Sequence, residues 1–219
     1  MQILDQVDDY IRNLVGDEDD VLKATDASIQ DSGIPPISVS ANQGKFLQVL
    51  AKTCRAKKIL EIGTLVGYST IWMARALPKN GKLISLEFEP LHARVAKNNI
   101  QKAGLDHIVE IRVGKALDLL PQIEKNQEGP FDMIFIDADK TPYTEYFQWA
   151  LKLSRSGTLI VADNVIRDGK VMDSLSADEM VIGARRFNDF LSNCTDVTAT
   201  IIQTVGSKLH DGIALAVVN

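Results

Sequence analysis

Cysteine is nearly absent from this 219-residue chain, which holds only Cys54 and Cys194. Two thiols cannot build a disulfide framework or a thiolate zinc site, and both read as small buried apolar residues. Proline (7) and glycine (14) are too sparse for a collagen-like or linker-dominated chain. No apolar run approaches the ~20 residues that span a bilayer. The N-terminus lacks a basic stretch followed by an apolar one, so it does not read as a signal peptide. These absences make the cytoplasm the expected location. Positive charge is also short: 24 Lys and Arg face 29 Asp and Glu, a net charge of −5. A chain held to nucleic acid by phosphate contacts would ordinarily be basic. What is present suits a globular protein: 45% apolar, 24% charged, and long enough for a sizeable core.

The spacing of apolar residues predicts helices over 2–15, 18–32 and 40–53, the second stopped by Gly33 and Pro35-Pro36. From Lys57 onward, strands and helices alternate. Strands are expected at 57–62, 82–87, 108–113, 131–136 and 157–162, with helices at 68–77, 90–103, 116–120 and 177–191. A further helix follows Thr141, its expected cap, with Pro142 at the first position. Strands 197–204 and 213–218 close the chain around a turn containing Asp211-Gly212. This alternation specifies an α/β fold: a doubly wound, mostly parallel sheet with helices on both faces. The short link between the last two strands requires one of them to run antiparallel to the rest. The chain reads as a single domain over 1–219, with helical additions at 1–53 and the core at 54–219. Ligands of such sheets bind beyond the carboxyl ends of the strands.

The informative residues fall at those ends. The first strand leads into Glu61-Ile62-Gly63-Thr64-Leu65-Val66-Gly67-Tyr68-Ser69. A glycine-rich turn admits a ligand close to the backbone, and the next helix offers free N–H groups. The spacing is G-x-x-x-G, not the dinucleotide pattern G-x-G-x-x-G, and no Gly-Lys-Ser/Thr follows, which argues against NAD and ATP. Glu87 ends the second strand, 20 residues after Gly67, where a carboxylate accepts from a ribose diol. Adenosine without pyrophosphate suggests S-adenosylmethionine (SAM), with Glu61 attracting its ammonium group. The alternative for such a turn is plain strand–helix packing.

Asp137 follows the fourth strand and Asp163-Asn164 the fifth. If these strands are neighbours, two carboxylates and an amide oxygen could converge on Mg²⁺ or a similar hard cation. An Asp after a strand also caps turns, and the two readings stand level. Lys140 lies three residues beyond Asp137. Beside a divalent cation its pKa would fall, fitting it as a general base; the alternative is a solvated surface lysine. The histidines His92, His107 and His210 are scattered and read as structural. Trp72 and Trp149 read as core or partly buried, and Asp139 has no assignable role.

Four stretches carry a resemblance: Ile59-Leu60-Glu61-Ile62-Gly63-Thr64, Gly67-Tyr68-Ser69, Phe135-Ile136-Asp137-Ala138-Asp139-Lys140 and Ala162-Asp163-Asn164-Val165. They resemble the cation-dependent O-methyltransferases of the catechol and caffeoyl-CoA type, in their bacterial form. The resemblance implies a class I SAM-dependent methyltransferase (Rossmann-like) fold with a seven-stranded sheet and an antiparallel C-terminal strand. It implies a cofactor site of Val39, Glu61, Gly63, Thr64, Gly67, Tyr68, Ser69, Glu87, Ala116 and Asp137. Asp137, Asp163 and Asn164 would hold the divalent cation, and Lys140 with Asp137 would be catalytic. The acceptor would be a small vicinal-dihydroxy aromatic, catechol- or caffeoyl-like, and the protein a homodimer. Two rivals remain: a tRNA hydroxyuridine O-methyltransferase, whose basic patch could include Arg185 and Arg186, and a non-catalytic SAM-binding protein. Residues 167–180 are expected to wall the acceptor site.

Overall fold

The central strands are apolar on both faces, so the sheet they form must be covered on both sides. A computed structural model, which describes residues 2–16, 18–206 and 209–219, shows this sheet. Its strands are β1 (Lys58–Ile62), β2 (Lys82–Glu87), β3 (Val109–Val113), β4 (Met133–Ile136), β5 (Leu159–Asp163), β6 (Val197–Gly206) and β7 (Leu209–Val218). The order is β3-β2-β1-β4-β5-β7-β6, and β7 alone runs antiparallel to its neighbours β5 and β6.

Side chains alternate between the two faces with the period of two that a strand imposes. Ile59, Met133, Phe135 and Val161 face α2 (Asp20–Asp31), α3 (Ala41–Thr53), α4 (Tyr68–Ala74) and α5 (Pro90–Lys102). Leu60, Ile62, Ile134, Ile136 and Ile160 face α6 (Ala116–Lys125), α7 (Tyr143–Lys152) and α8 (Glu179–Asn193). The first helix, α1 (Gln2–Val15), packs on α3 and β6 but leaves Val7, Tyr10 and Leu14 in solvent. No helix among the described residues is long and apolar enough to cross a membrane.

Several local expectations need correction. Asp211-Gly212 is not in a turn: it lies within β7, opposite Thr204 and Gln203 of β6. Thr141 does not cap α7; Pro142 occupies the cap without a side-chain bond, and the Thr141 carbonyl accepts from Arg186. α6 does not stop at Leu120 as expected but runs through Pro121 to Lys125, with Leu120 and Ile123 buried on the sheet. The two cysteines are free and only partly buried.

Candidate active site

The strand order reverses between β1 and β4, and a cavity of about 850 Å³ opens at the carboxyl ends of the strands there. Gly63 leaves β1 with φ 98° and Gly67 enters α4 with φ 85°, backbone that favours glycine. A Cβ on Gly63 would overlap the Asp137 carbonyl, so its absence lets the turn lie against the end of β4. One Glu87 oxygen accepts from the N–H groups of Thr64 (3.1 Å) and Leu65 (2.8 Å), the other from Glu89 N–H (2.9 Å). Glu87 therefore shapes the turn while still lining the cavity. His92 lines the same wall, with Nδ1 3.5 Å from Glu87.

Val39, Gly63, Thr64, Tyr68, Ser69, Glu87, Ala116 and Asp137 all line this cavity. Gly67 lies behind it, against Ala96 of α5. Glu61 is also withdrawn from the wall: it is 0% exposed, and its carboxylate accepts from Ser69 Oγ (2.6 Å), Thr70 Oγ1 (2.5 Å) and Ser85 Oγ (2.6 Å). A ligand's ammonium group would meet Ser69 first, with Glu61 behind it.

Burial pushes the Glu61 carboxyl up from near 4.5 to about 7, against the pull of its three hydroxyl donors. The sign of the linkage follows. Below the unfolded value both states hold the proton; as pH rises towards the folded value only the unfolded chain ionises freely, and stability is lost. Glu61 should cost the ligand-free protein up to about 3 kcal/mol across that window. Glu61→Gln is expected to flatten the fall in melting temperature between about pH 5 and 7.5. Parallel thermal melts of the two proteins check this, and equal slopes would refute it.

The condition on the acidic pair is met, because β4 and β5 are neighbours with Ile136 opposite Ala162. Asp163, the last residue of β5, is 1% exposed. Its Oδ2 accepts from Gln43 Nε2 (2.6 Å) and its Oδ1 from Asn164 N–H (2.8 Å). Burial, then the nearby Asp137 charge, pushes its carboxyl up to about 7, with Lys140 opposing. Asn164 lines the cavity from the left-handed region, with φ 57°. Among the described residues no three His, Cys, Asp or Glu side chains gather into a metal site. A cation here would need the Asn164 amide beside the two carboxylates. This oxygen donor set, with its two mutually repelling acids, fits a hard divalent ion.

Lys140 is not a solvated surface lysine. It is 2% exposed, and Nζ donates to Tyr143 Oη (2.7 Å) and, more weakly, to Asp137 Oδ1 (3.4 Å). Burial pulls its pKa down, while Asp137 and Asp163 pull it up. The lowering thus has a cause in the chain itself, apart from any cation. The Tyr143 hydroxyl is shared between the carbonyls of Ile136 (2.8 Å) and Asp163 (2.7 Å), so it ties the lysine to both strand ends. Asp139 acquires a role too, accepting from Tyr146 Oη (2.8 Å) on the cavity wall.

Beyond β5 the chain is strained: Asn164, Arg167 and Asp168 have φ of 57°, 54° and 57°. Asp211 Oδ1 fixes this loop by accepting from the N–H groups of Ile166 (2.9 Å), Arg167 (2.9 Å) and Gly212 (2.8 Å). Of 167–180, Arg167 and Met180 alone line the cavity, while Met172 and Leu175 stand in solvent. Sequence reasoning missed Gln43, Tyr143 and Asp211. Tyr143 opens α7 three residues after Lys140, and its N–H closes a turn on the Lys140 carbonyl (3.1 Å). Gln43 and Asp211 carry no local signal.

The strand order with one reversed strand, the glycine turn on β1 and the acidic end of β2 define a class I SAM-dependent methyltransferase fold. The model of the O-methyltransferase family matches residues 13–218, and the chain belongs to that family. A catechol O-methyltransferase of Niastella koreensis is 65% identical over 217 residues, covering 99% of this chain and 98% of the relative. The O-methyltransferase from Bacillus cereus, solved in complex with SAH, superposes with a TM-score of 0.97 at 47% identity, covering 100% of this chain and 99% of that one. TomG from Streptomyces achromogenes, an O-methyltransferase involved in tomaymycin synthesis, was solved in complex with SAM. It gives a TM-score of 0.96 at 46% identity, covering 100% of this chain and 98% of its own.

Proposed function

We propose that this enzyme transfers a methyl group from SAM to one hydroxyl of a vicinal-dihydroxy aromatic, with a divalent cation such as Mg²⁺. The observation that carries this reading is Lys140. It is a buried amine beside Asp137 and the end of β5, opening on the same cavity as the glycine turn. The relative named catechol O-methyltransferase supports the acceptor class.

SAM supplies an electrophilic methyl group, and a divalent cation supplies a Lewis acid that lowers a hydroxyl pKa. Asp137, Asp163 and Asn164 would hold the cation. Glu87 would accept from the ribose hydroxyls, and Ser69, backed by Glu61, would face the amino group. Lys140 takes the proton from the acceptor hydroxyl at Nζ, and Tyr143 keeps that nitrogen in place. The cavity walls hold donor and acceptor in contact, which removes much of the entropic barrier. Arg186 is tied to Glu145 and the Thr141 carbonyl and Arg185 to the Asp173 carbonyl, and the net charge of −5 disfavours a nucleic-acid acceptor. The exposed apolar side chains of α1, with Ile202 and Val205 on the edge strand β6, support a homodimer.

Incubation with SAM, Mg²⁺ and a panel of catechols, with and without EDTA, tests the proposal by mass spectrometry. Methylated product that vanishes with EDTA is expected, and Asp137→Ala should abolish it likewise. Product indifferent to EDTA would overturn the cation, and no product from any catechol would overturn the acceptor class.

A further inference from the structure

Arg167 is an unmatched cation in the cavity wall. It lines the cavity with Asn164 and Lys140. Its Nε is buried without a hydrogen-bond partner, and no described carboxylate pairs with the guanidinium. Of the other cavity bases, Lys140 donates to Tyr143 and Asp137, His92 lies against Glu87, and Lys115 at the cap of α6 is exposed. Arg167 stands on the loop that leaves β5, and lines the same cavity as Lys140. It also holds a φ of 54°, which Asp211 fixes through the backbone N–H. A strained backbone and an unpaired buried donor thus meet at one residue on the wall, and both are costs that a bound partner would offset.

We infer that Arg167 is a specificity-determining residue that binds a carboxylate on the acceptor. The inference rests on the proposed function and narrows it: the substrate is a vicinal-dihydroxy aromatic acid. The diol lies towards Lys140 and Asp137, and the acid group meets the guanidinium. A planar carboxylate fits that fork with two N–H bonds, whereas a neutral diol leaves it unpaired.

Catechol and 3,4-dihydroxybenzoate differ by the carboxylate alone, so the pair isolates its contribution. Each is titrated calorimetrically into the SAH-saturated protein with Mg²⁺, as wild type, Arg167→Asn and Arg167→Lys. Asn is chosen because it tolerates the left-handed region. Wild type is expected to bind dihydroxybenzoate at least about tenfold more tightly than catechol. Arg167→Asn should lose that preference, with dihydroxybenzoate weakened at least about tenfold more than catechol, and Arg167→Lys should keep part of it. Equal affinity of wild type for both ligands, or an equal loss of both in the variant, would overturn the inference. Weakened SAM binding with the preference intact would do so too, by assigning the guanidinium to the cofactor's own carboxylate. Should Arg167→Asn fail to fold, the wild-type comparison and Arg167→Lys still decide. If wild type methylates neither diol, the functional reading fails, while the binding preference still judges Arg167 separately.

Discussion

Lys140→Met is expected to lower turnover by about 10²–10⁴-fold near neutral pH, the range over which positioned acid–base groups act. Met keeps most of the side-chain volume and removes only the amine. The Tyr143 hydroxyl retains its bonds to the carbonyls of Ile136 and Asp163, so the local frame survives. Melting temperature should hold or rise, because the wild-type residue buries a polar amine at 2% exposure. SAM affinity, read by calorimetry, should not move, since the cofactor turn lies on β1 and β2. Turnover within tenfold of wild type would remove Lys140 from the proton transfer.

Gly63→Ala is expected to cost more than about 4 kcal/mol and to lower the melting temperature by roughly 10 °C. Two penalties combine there. The backbone sits at φ 98°, where a side chain is strained, and the new methyl would overlap the Asp137 carbonyl. Neither backbone can yield, because Gly63 N–H donates to the Leu86 carbonyl and Asp137 N–H to the Ile62 carbonyl, both at 2.9 Å. Gly104→Ala serves as the control. It too has a positive φ, 68°, but nothing lies within 4 Å of its added methyl. Its cost should stay near about 1 kcal/mol. Similar melting temperatures for the two variants would show that the β1 turn is not wedged against β4.

The sheet was legible because its strands are apolar on both faces and separated by helix-period segments. Ligand-facing residues at the ends of strands were legible for the same reason: position along a strand states which end a residue occupies. Glu61 shows where that logic needs a second step. It precedes the end of β1 by one residue, and strand alternation sends it under α4 rather than into the cavity. Asp211-Gly212 has turn-forming residue types, yet it pairs within β7, where the carboxylate serves the 164–168 loop instead. Gln43 reaches Asp163 across 120 positions of sequence, and no local pattern encodes such a meeting. Arg167 was legible as wall but not as an unpaired charge, because pairing is a property of the assembled site.

The insertion of β7 between β5 and β6 also sets a timetable. Ribosomes deliver the strands in chain order, so the glycine turn, Glu87 and Lys140 emerge well before residues 209–218. Until those residues emerge, β5 lacks the neighbour that pairs Asp163 with Ile213, and the loop bearing Arg167 lacks Asp211. A nascent chain therefore carries the residues of the glycine turn well before those that pair with β5 and anchor the 164–168 loop. A chain cut short of β7 would leave β5 as an open edge and the 164–168 loop without its Asp211 anchor.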